Sequence, residues 1–102
     1  MSIKSLKMRR AAKVDSNQSE IVAALRKRGA VCIITSQLKN AFDVLVCFNG
    51  KIHIVEIKDG NKPQSARKLT EGELVCKSLV EGVGCRYNVI NSVDDALKLI
   101  GD

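Results

Sequence analysis

The sequence predicts an α/β domain in which one mixed β-sheet is flanked by helices, in the order α-β-β-β-α-β-α. Three observations carry this. Two β-branched apolar runs are joined by Asn49-Gly50, the dipeptide of a two-residue type I′ hairpin. Stretches with helical apolar spacing stand before, between and after the strand-like runs. The length, 102 residues, suits one hydrophobic core and not two.

The elements follow in chain order. Ser16 or Asn17 offers a helix-capping side chain, with Ser19 and Glu20 in the first turn behind it. Ile21, Val22, Ala24 and Leu25 make one apolar face, and Arg26, Lys27, Arg28 and Gly29 end the helix. Residues 30–35 read as a short strand, 42–48 as a second and 51–58 as a third, with Asp43 the one acid in the second. Residues 59–69 hold the only proline, a glycine and three basic groups, and read as a loop. Thr70 and Glu73 form a capping-box pair for a second helix, whose buried face is expected at Leu74, Val75, Ser78 and Leu79. Gly82 and Gly84 close it, residues 86–90 make a fourth strand, and Asn91 or Ser92 caps a last helix. Its apolar stripe is Val93, Ala96, Leu97 and Ile100.

Charge is unevenly spread. The net charge is +6, and Lys4, Lys7, Arg9, Arg10 and Lys13 supply +5 of it without one acid among the first 13 residues. Residues 1–14 therefore read as a basic arm and 15–102 as the domain. The arm is either a phosphate-contacting segment or a solubilising leader. Aromatic residues number three, too few for a base-stacking platform. No apolar run reaches the length of a membrane span, and none follows the basic start as a secretory signal requires. Cys32, Cys47, Cys76 and Cys85 show no CxxC spacing, and there is one histidine, so a local zinc site is not expected. A reducing, cytoplasmic setting fits them best.

The chemistry concentrates on the hairpin. The Asn-Gly turn pairs Phe48 with Lys51, and stepping along the ladder sets Asp43 opposite Glu56. Opposed side chains share a face, with β-carbons about 5 Å apart, and Lys58 shares the face of Glu56. Like charges placed so destabilise a sheet unless something neutralises them. A divalent cation would do so, and hard oxygen donors suit magnesium or manganese. The main-chain carbonyl of Ile57 lies between the two charged residues as a further ligand. Lys58 would then orient an attacking water or steady charge on a phosphoryl group. The competing reading is a surface ion pair of Lys58 with either acid, worth little. His53 has the opposite parity and faces away from both acids.

Asp43 followed across a hairpin by Glu56-Ile57-Lys58 resembles the PD-(D/E)xK nuclease superfamily, and within it the small VRR-NUC group. The resemblance spans roughly residues 16–92. It implies a restriction-endonuclease-like fold, catalytic roles for Asp43, Glu56 and Lys58, and a metal-ligating glutamate on the first helix, here Glu20. Read alone, Glu20 is an ordinary first-turn acid favoured by the helix dipole. Leu69-Thr70 matches the family's helix start, but Glu73 stands where a glutamine is common, with Gln64 in the loop as a substitute. Ala41-Phe42 replaces the proline or glycine before the aspartate. The resemblance further implies magnesium- or manganese-dependent hydrolysis of DNA, a homodimer and a preference for branched DNA, whether Holliday junctions or flaps. No organic cofactor and no membrane partner are expected.

Lys62, Gln64, Arg67 and Lys68 are candidates for a phosphate-contacting rim beside the site, or else for a solvated loop. Two other functions compete: a non-catalytic DNA-binding or assembly protein of the same fold, and a sequence-specific mobile-element nuclease. The intact Asp43, Glu56 and Lys58 favour an enzyme, and the short loops leave little material to read base edges.

Overall fold

Asn49 and Gly50 both adopt positive φ, 51° and 78°, as a type I′ turn demands. That turn joins β2 (Val44–Phe48) to β3 (Lys51–Ile57) in the expected register, with Phe48 opposite Lys51 and Val44 opposite Val55. The structure, a computed structural model, describes residues 14–101. Lys4, Lys7, Arg9, Arg10 and Lys13 of the expected basic arm lie outside the described residues.

The remaining elements are α1 (Gln18–Lys27), β1 (Val31–Ile34), a 3-10 turn (Gln64–Arg67), α2 (Glu71–Gly82), β4 (Tyr87–Ile90) and α3 (Val93–Leu99). The element order is therefore the expected α-β-β-β-α-β-α. The sheet runs β1-β2-β3-β4, antiparallel except for the parallel β3–β4 pair. A parallel neighbour requires a crossover, and α2 supplies it.

Strand parity separates two faces. The inner face carries Cys32, Val44, Val46, Val55, Ile57 and Ile90, all buried with Ile21 and Leu25 of α1 and with Ala96 and Ile100 at α3. On the outer face lie Val31 and Ile33 of β1, Leu45 and Cys47 of β2, and Ile52 and Ile54 of β3. Ile52 is 68% exposed, and Val31 and Ile33 are exposed as well. The outer face near the β1–β2 edge is thus apolar and uncovered by any described element. Further along it, Tyr87 is buried and its hydroxyl donates to the Ala41 carbonyl at 2.9 Å.

Two expectations need correction. Asn17 occupies the N-cap of α1, but its side chain makes no cap bond. Its Nδ2 instead donates to the carbonyls of Lys58 and Asn91, at 3.3 Å each, and so ties the helix start to the ends of β3 and β4. The apolar residues of α2 are not its buried face: Leu74, Val75 and Leu79 are exposed, Leu79 by 69%. The half-buried stripe is Gly72, Glu73, Cys76, Lys77 and Val80. The rotation is set at the helix start. Thr70 and Glu73 form the capping box, and the Glu73 carboxylate also reaches inward to Lys58. With Glu73 turned inward, positions 76, 77 and 80 follow it and 74, 75, 78 and 79 turn outward.

Ser92 caps α3 as expected, accepting from the Asp95 amide at 3.1 Å. Two close approaches fix the loops around the sheet's end. A Cβ on Gly72 would collide with Asn40 Oδ1, so the β1–β2 loop sits directly on the first turn of α2. A Cβ on Gly60 would lie 2.7 Å from the Asn91 carbonyl oxygen.

Leu25 is fully buried where α1 meets the sheet. Leu25→Ala is expected to cost about 2–5 kcal/mol, read as a lower urea midpoint at unchanged slope. A cost within error of zero would mean that this helix does not seal the inner face.

Candidate active site

The β2–β3 ladder changes character at its open end. Beyond the Val44–Val55 pair, the amide of Asp43 donates to the Val55 carbonyl at 3.0 Å, so two residues of one strand face one of the other. This is the arrangement of a β-bulge, which re-aims a side chain. It also explains why β2 begins at Val44 and not at Phe42. The Asp43 side chain turns along β3, where its Oδ2 accepts the Ile57 amide at 2.8 Å. Asp43 is 8% exposed and Glu56 3%. The bulge takes Asp43 out of the position opposite Glu56 that the turn register alone implies, yet the two acids still meet, both pulled out of water.

Lys58 is held at four points. Its amide donates to the Ile90 carbonyl at 2.9 Å, and its own carbonyl accepts Asn17 Nδ2. Its Nζ lies 2.9 Å from Glu73 Oε1 and 3.5 Å from Glu56 Oε2. The same Glu73 oxygen accepts the Thr70 amide at 2.9 Å, so one carboxylate serves both the helix cap and the lysine. These groups line a cleft of about 440 Å³ with Asp15, Ser36, Lys39, Ala41, Lys62 and Lys68 around them.

The electrostatics are those of an acid cluster short of cations. Burial pushes the Glu56 carboxyl up to about 9; the charges of Asp43 and Glu73 and a hydrogen bond donated to Glu73 add to this, and Lys58 opposes it. Burial also raises Asp43, against the Ile57 amide and a hydrogen bond with Glu56. Burial works against the Glu73 charge too, but the Thr70 amide and the Lys58 ammonium outweigh it and hold this acid below its ordinary range. Lys58 is raised: burial disfavours its charge, and the bond to Glu73 and the fields of Glu73, Glu56 and Asp15 more than compensate. Tyr87, behind the acids, is raised first by burial and then by the Glu56 charge.

The cleft does not gather every residue singled out in the sequence. Glu20 sits on the exposed side of α1, whose inward stripe is Gln18, Ile21, Val22 and Leu25. Among the described residues, no group of three or more His, Cys, Asp and Glu is arranged to cage a metal ion. Lys62 and Lys68 are on the cleft wall, whereas Gln64 and Arg67 line a separate groove next to it. His53 lies among the lining of another hollow, with Lys51 and Arg86, as its parity requires. Sequence reasoning missed three contributors. Asp15 lines the cleft and pairs with Lys62 at 3.8 Å. Lys39 joins its rim. Gln18 is buried and donates through Nε2 to Ser36 Oγ, a cleft-lining hydroxyl, at 3.3 Å. The stripe at i, i+3, i+4 and i+7 would have marked Gln18 as inward; nothing local marks Asp15 or Lys39.

Asp43 and Glu56 fit a hard divalent cation. They offer adjacent carboxylate oxygens, they are short of neutralising charge, and Ile57 lines the same cleft. Water and substrate would complete the shell.

The fold is similar to that of a solved structure titled "VRR_NUC domain". The TM-score is 0.60 at 22% identity, covering 84% of this chain and 96% of that one. No family model matches the sequence, and no curated protein matches it either.

The raised Glu56 carboxyl has a thermodynamic consequence. Its folded-state value lies above the unfolded 4.5, so the fold binds more protons than the unfolded chain between 4.5 and about 9. The stability it contributes is complete below 4.5 and is lost as pH rises toward about 9. In chelator, the melting temperature is expected to fall across that window, and Glu56→Gln should flatten the fall. Parallel curves for the two proteins would show that Glu56 carries its charge without cost.

Proposed function

We propose that this chain is a divalent-metal-dependent endonuclease of the PD-(D/E)xK type, related to VRR-NUC domains, that hydrolyses phosphodiester bonds in DNA. One observation carries this reading. Two buried carboxylates from neighbouring strands meet at an open cleft beside a lysine clamped 3.5 Å from one of them. A structural ion pair needs one acid per base; here Glu56 and Glu73 both reach Lys58, and Asp43 adds a third acid beside Glu56.

Asp43, Glu56 and the Ile57 carbonyl would hold magnesium or manganese. A cation bound there lowers the pKa of its water and polarises a phosphoryl oxygen. The chain's own residues do the rest. The Ile57 amide keeps the Asp43 carboxylate aimed, and Glu56 would give up its proton only when a cation offsets the neighbouring acids. The Lys58 ammonium, kept protonated by Glu73, stands where negative charge grows on the phosphate and stabilises it. Its main-chain bonds to Ile90 and Asn17 fix it before substrate arrives, so little reorganisation is needed. Glu20 is left out of this ligand set.

The finer reading is a homodimer that prefers branched DNA and works in the cytoplasm. Pairing is supported by the uncovered apolar outer face at Val31, Ile33 and Ile52, on a domain small enough to benefit from burying it. Two-fold pairing would present two clefts to two strands, which suits a junction or flap. The four free thiols suit a reducing compartment.

A panel of Holliday junctions, flaps, nicked and linear duplexes tests the activity. Cleavage is expected in magnesium or manganese and none in chelator, with a branched substrate cut fastest. Asp43→Ala and Lys58→Ala should each lose about 10²–10³-fold in rate and keep the wild-type circular dichroism. Cleavage that survives chelation, or no cleavage of any substrate, overturns the reading. Sedimentation tests pairing: Ile52→Glu is expected to turn a dimer into a monomer, and a monomeric wild-type protein would remove that part of the proposal.

A further inference from the structure

Beside the acidic cleft lies a second groove of about 550 Å³, lined by Gln64, Ser65, Arg67, Lys68, Val89 and Asn91. Its chemistry differs from its neighbour's. The cleft wall mixes Asp15, Asp43, Glu56 and Glu73 with Lys39, Lys58, Lys62 and Lys68. The groove wall carries an arginine and a lysine and no acid at all. Lys68 lines both, so the two share a wall.

Arg67 is the informative residue. It is half-buried, its Nε is buried without a hydrogen-bond partner, and no ion pair joins it to an acid among the described residues. A guanidinium carries five donors and loses hydration when partly buried without an acceptor. Natural structures seldom leave such a donor unmatched unless water or a ligand supplies the acceptor. The backbone holds Arg67 there by geometry that does not depend on its side chain. Pro63 at φ −61° starts the 3-10 turn, and the Ala66 amide closes on the Pro63 carbonyl at 2.9 Å. Asn91 has spent its main-chain groups on Asp95, Asn17 and Gly60, which leaves its side-chain amide for a ligand.

We propose that this groove is a second phosphate subsite, in which Arg67 and Lys68, with the amides of Gln64 and Asn91, hold a backbone phosphate next to the one at the acidic cleft. Arginine's planar fork matches two phosphate oxygens, and the absence of acid lets an anion enter without repulsion. Sharing Lys68 makes the subsites neighbours along one strand, so the groove sets which phosphate of a bound strand sits over Asp43 and Glu56. The identity of the phosphate as nucleic acid rests on the proposed DNA reading; the anion site does not.

The test uses the full chain in chelator, so that nothing is cut. By fluorescence anisotropy with a labelled duplex, Arg67→Ala is expected to bind about tenfold more weakly. Its slope of log affinity against log salt should shrink by about one. Lys77→Ala, whose lysine pairs with Glu81 on α2, should change neither. In the wild-type protein, the Arg67 Nε–H resonance should move on titration with a short oligonucleotide, and with inorganic phosphate only at far higher concentration. An Arg67→Ala protein with wild-type circular dichroism, affinity and slope overturns the proposal. So does a resonance that ignores both probes, or one that follows inorganic phosphate and ignores the oligonucleotide. A wild-type protein that shows the Arg67 effect yet cuts no DNA in metal would sink the nuclease reading and leave the subsite standing.

Discussion

Two buried carboxylates held side by side are the constraint around which this small domain is arranged. Burying one ionised acid without a partner costs several kcal/mol, and a second beside it costs more. A chain of this length has a stability of only about 5–15 kcal/mol to set against that. The structure limits the cost by local means. A bulge lets Asp43 accept a main-chain amide, Glu56 keeps its proton up to about 9, and Lys58 is divided between two acids. None of these neutralises the cluster. The inner face, sealed by α1 and α3, supplies the stability that makes an unbalanced outer site tolerable.

Glu73 shows how one residue couples packing to chemistry. As the third residue of α2 it completes a capping box, an ordinary device worth about 1 kcal/mol. Its carboxylate oxygen also takes the Lys58 ammonium, which a capping box does not require. The second bond dictates the rotation of the helix. That rotation turns Leu74, Val75 and Leu79 to the outside, although their spacing is that of a core stripe. The apolar stripe of α2 was therefore legible as a stripe and illegible as a direction. Hydrophobic periodicity says that a helix has a face, and only a specific tie such as Glu73 to Lys58 says where the face points.

The hairpin was legible from its turn to the Val44–Val55 pair because its register follows from backbone chirality at one dipeptide. Two consecutive positive φ values leave a single way to pair the strands, so Asp43 and Glu56 could be placed near each other from Asn49-Gly50 alone, although the bulge at Asp43 has no signature in the turn. The first helix was legible in extent and less so in its residues. Its inward positions run from Gln18 through Ile21, Val22 and Leu25, which puts Glu20 on the solvent side. The resemblance pointed to a glutamate there, and the helical period points to Gln18. Asp15 and Lys39 come to the cleft from loops, where side-chain direction follows from tertiary contacts such as Asn40 on Gly72 and not from a period.

Charge is sorted across the end of the sheet more finely than the net value suggests. The acids come from four separate segments: before α1, the bulge of β2, the end of β3 and the start of α2. Each is placed by a different device, and their convergence is not a product of one local motif. The cations divide differently. Lys58 is enclosed by acids, Lys39 and Lys62 stand on the rim, and Lys68 stands on the wall between the acid-rich cleft and the acid-free groove. The cleft thus mixes both signs, and the groove beside it carries cations alone. The loop between β3 and α2 makes both possible, since its residues reach the cleft through Lys62 and Lys68 and the groove through Gln64 and Arg67. The segment that connects two parallel strands thus also sets the distance between the cleft and the groove, and its length is fixed at both ends, by Gly60 under Asn91 and by Thr70 at the cap of α2.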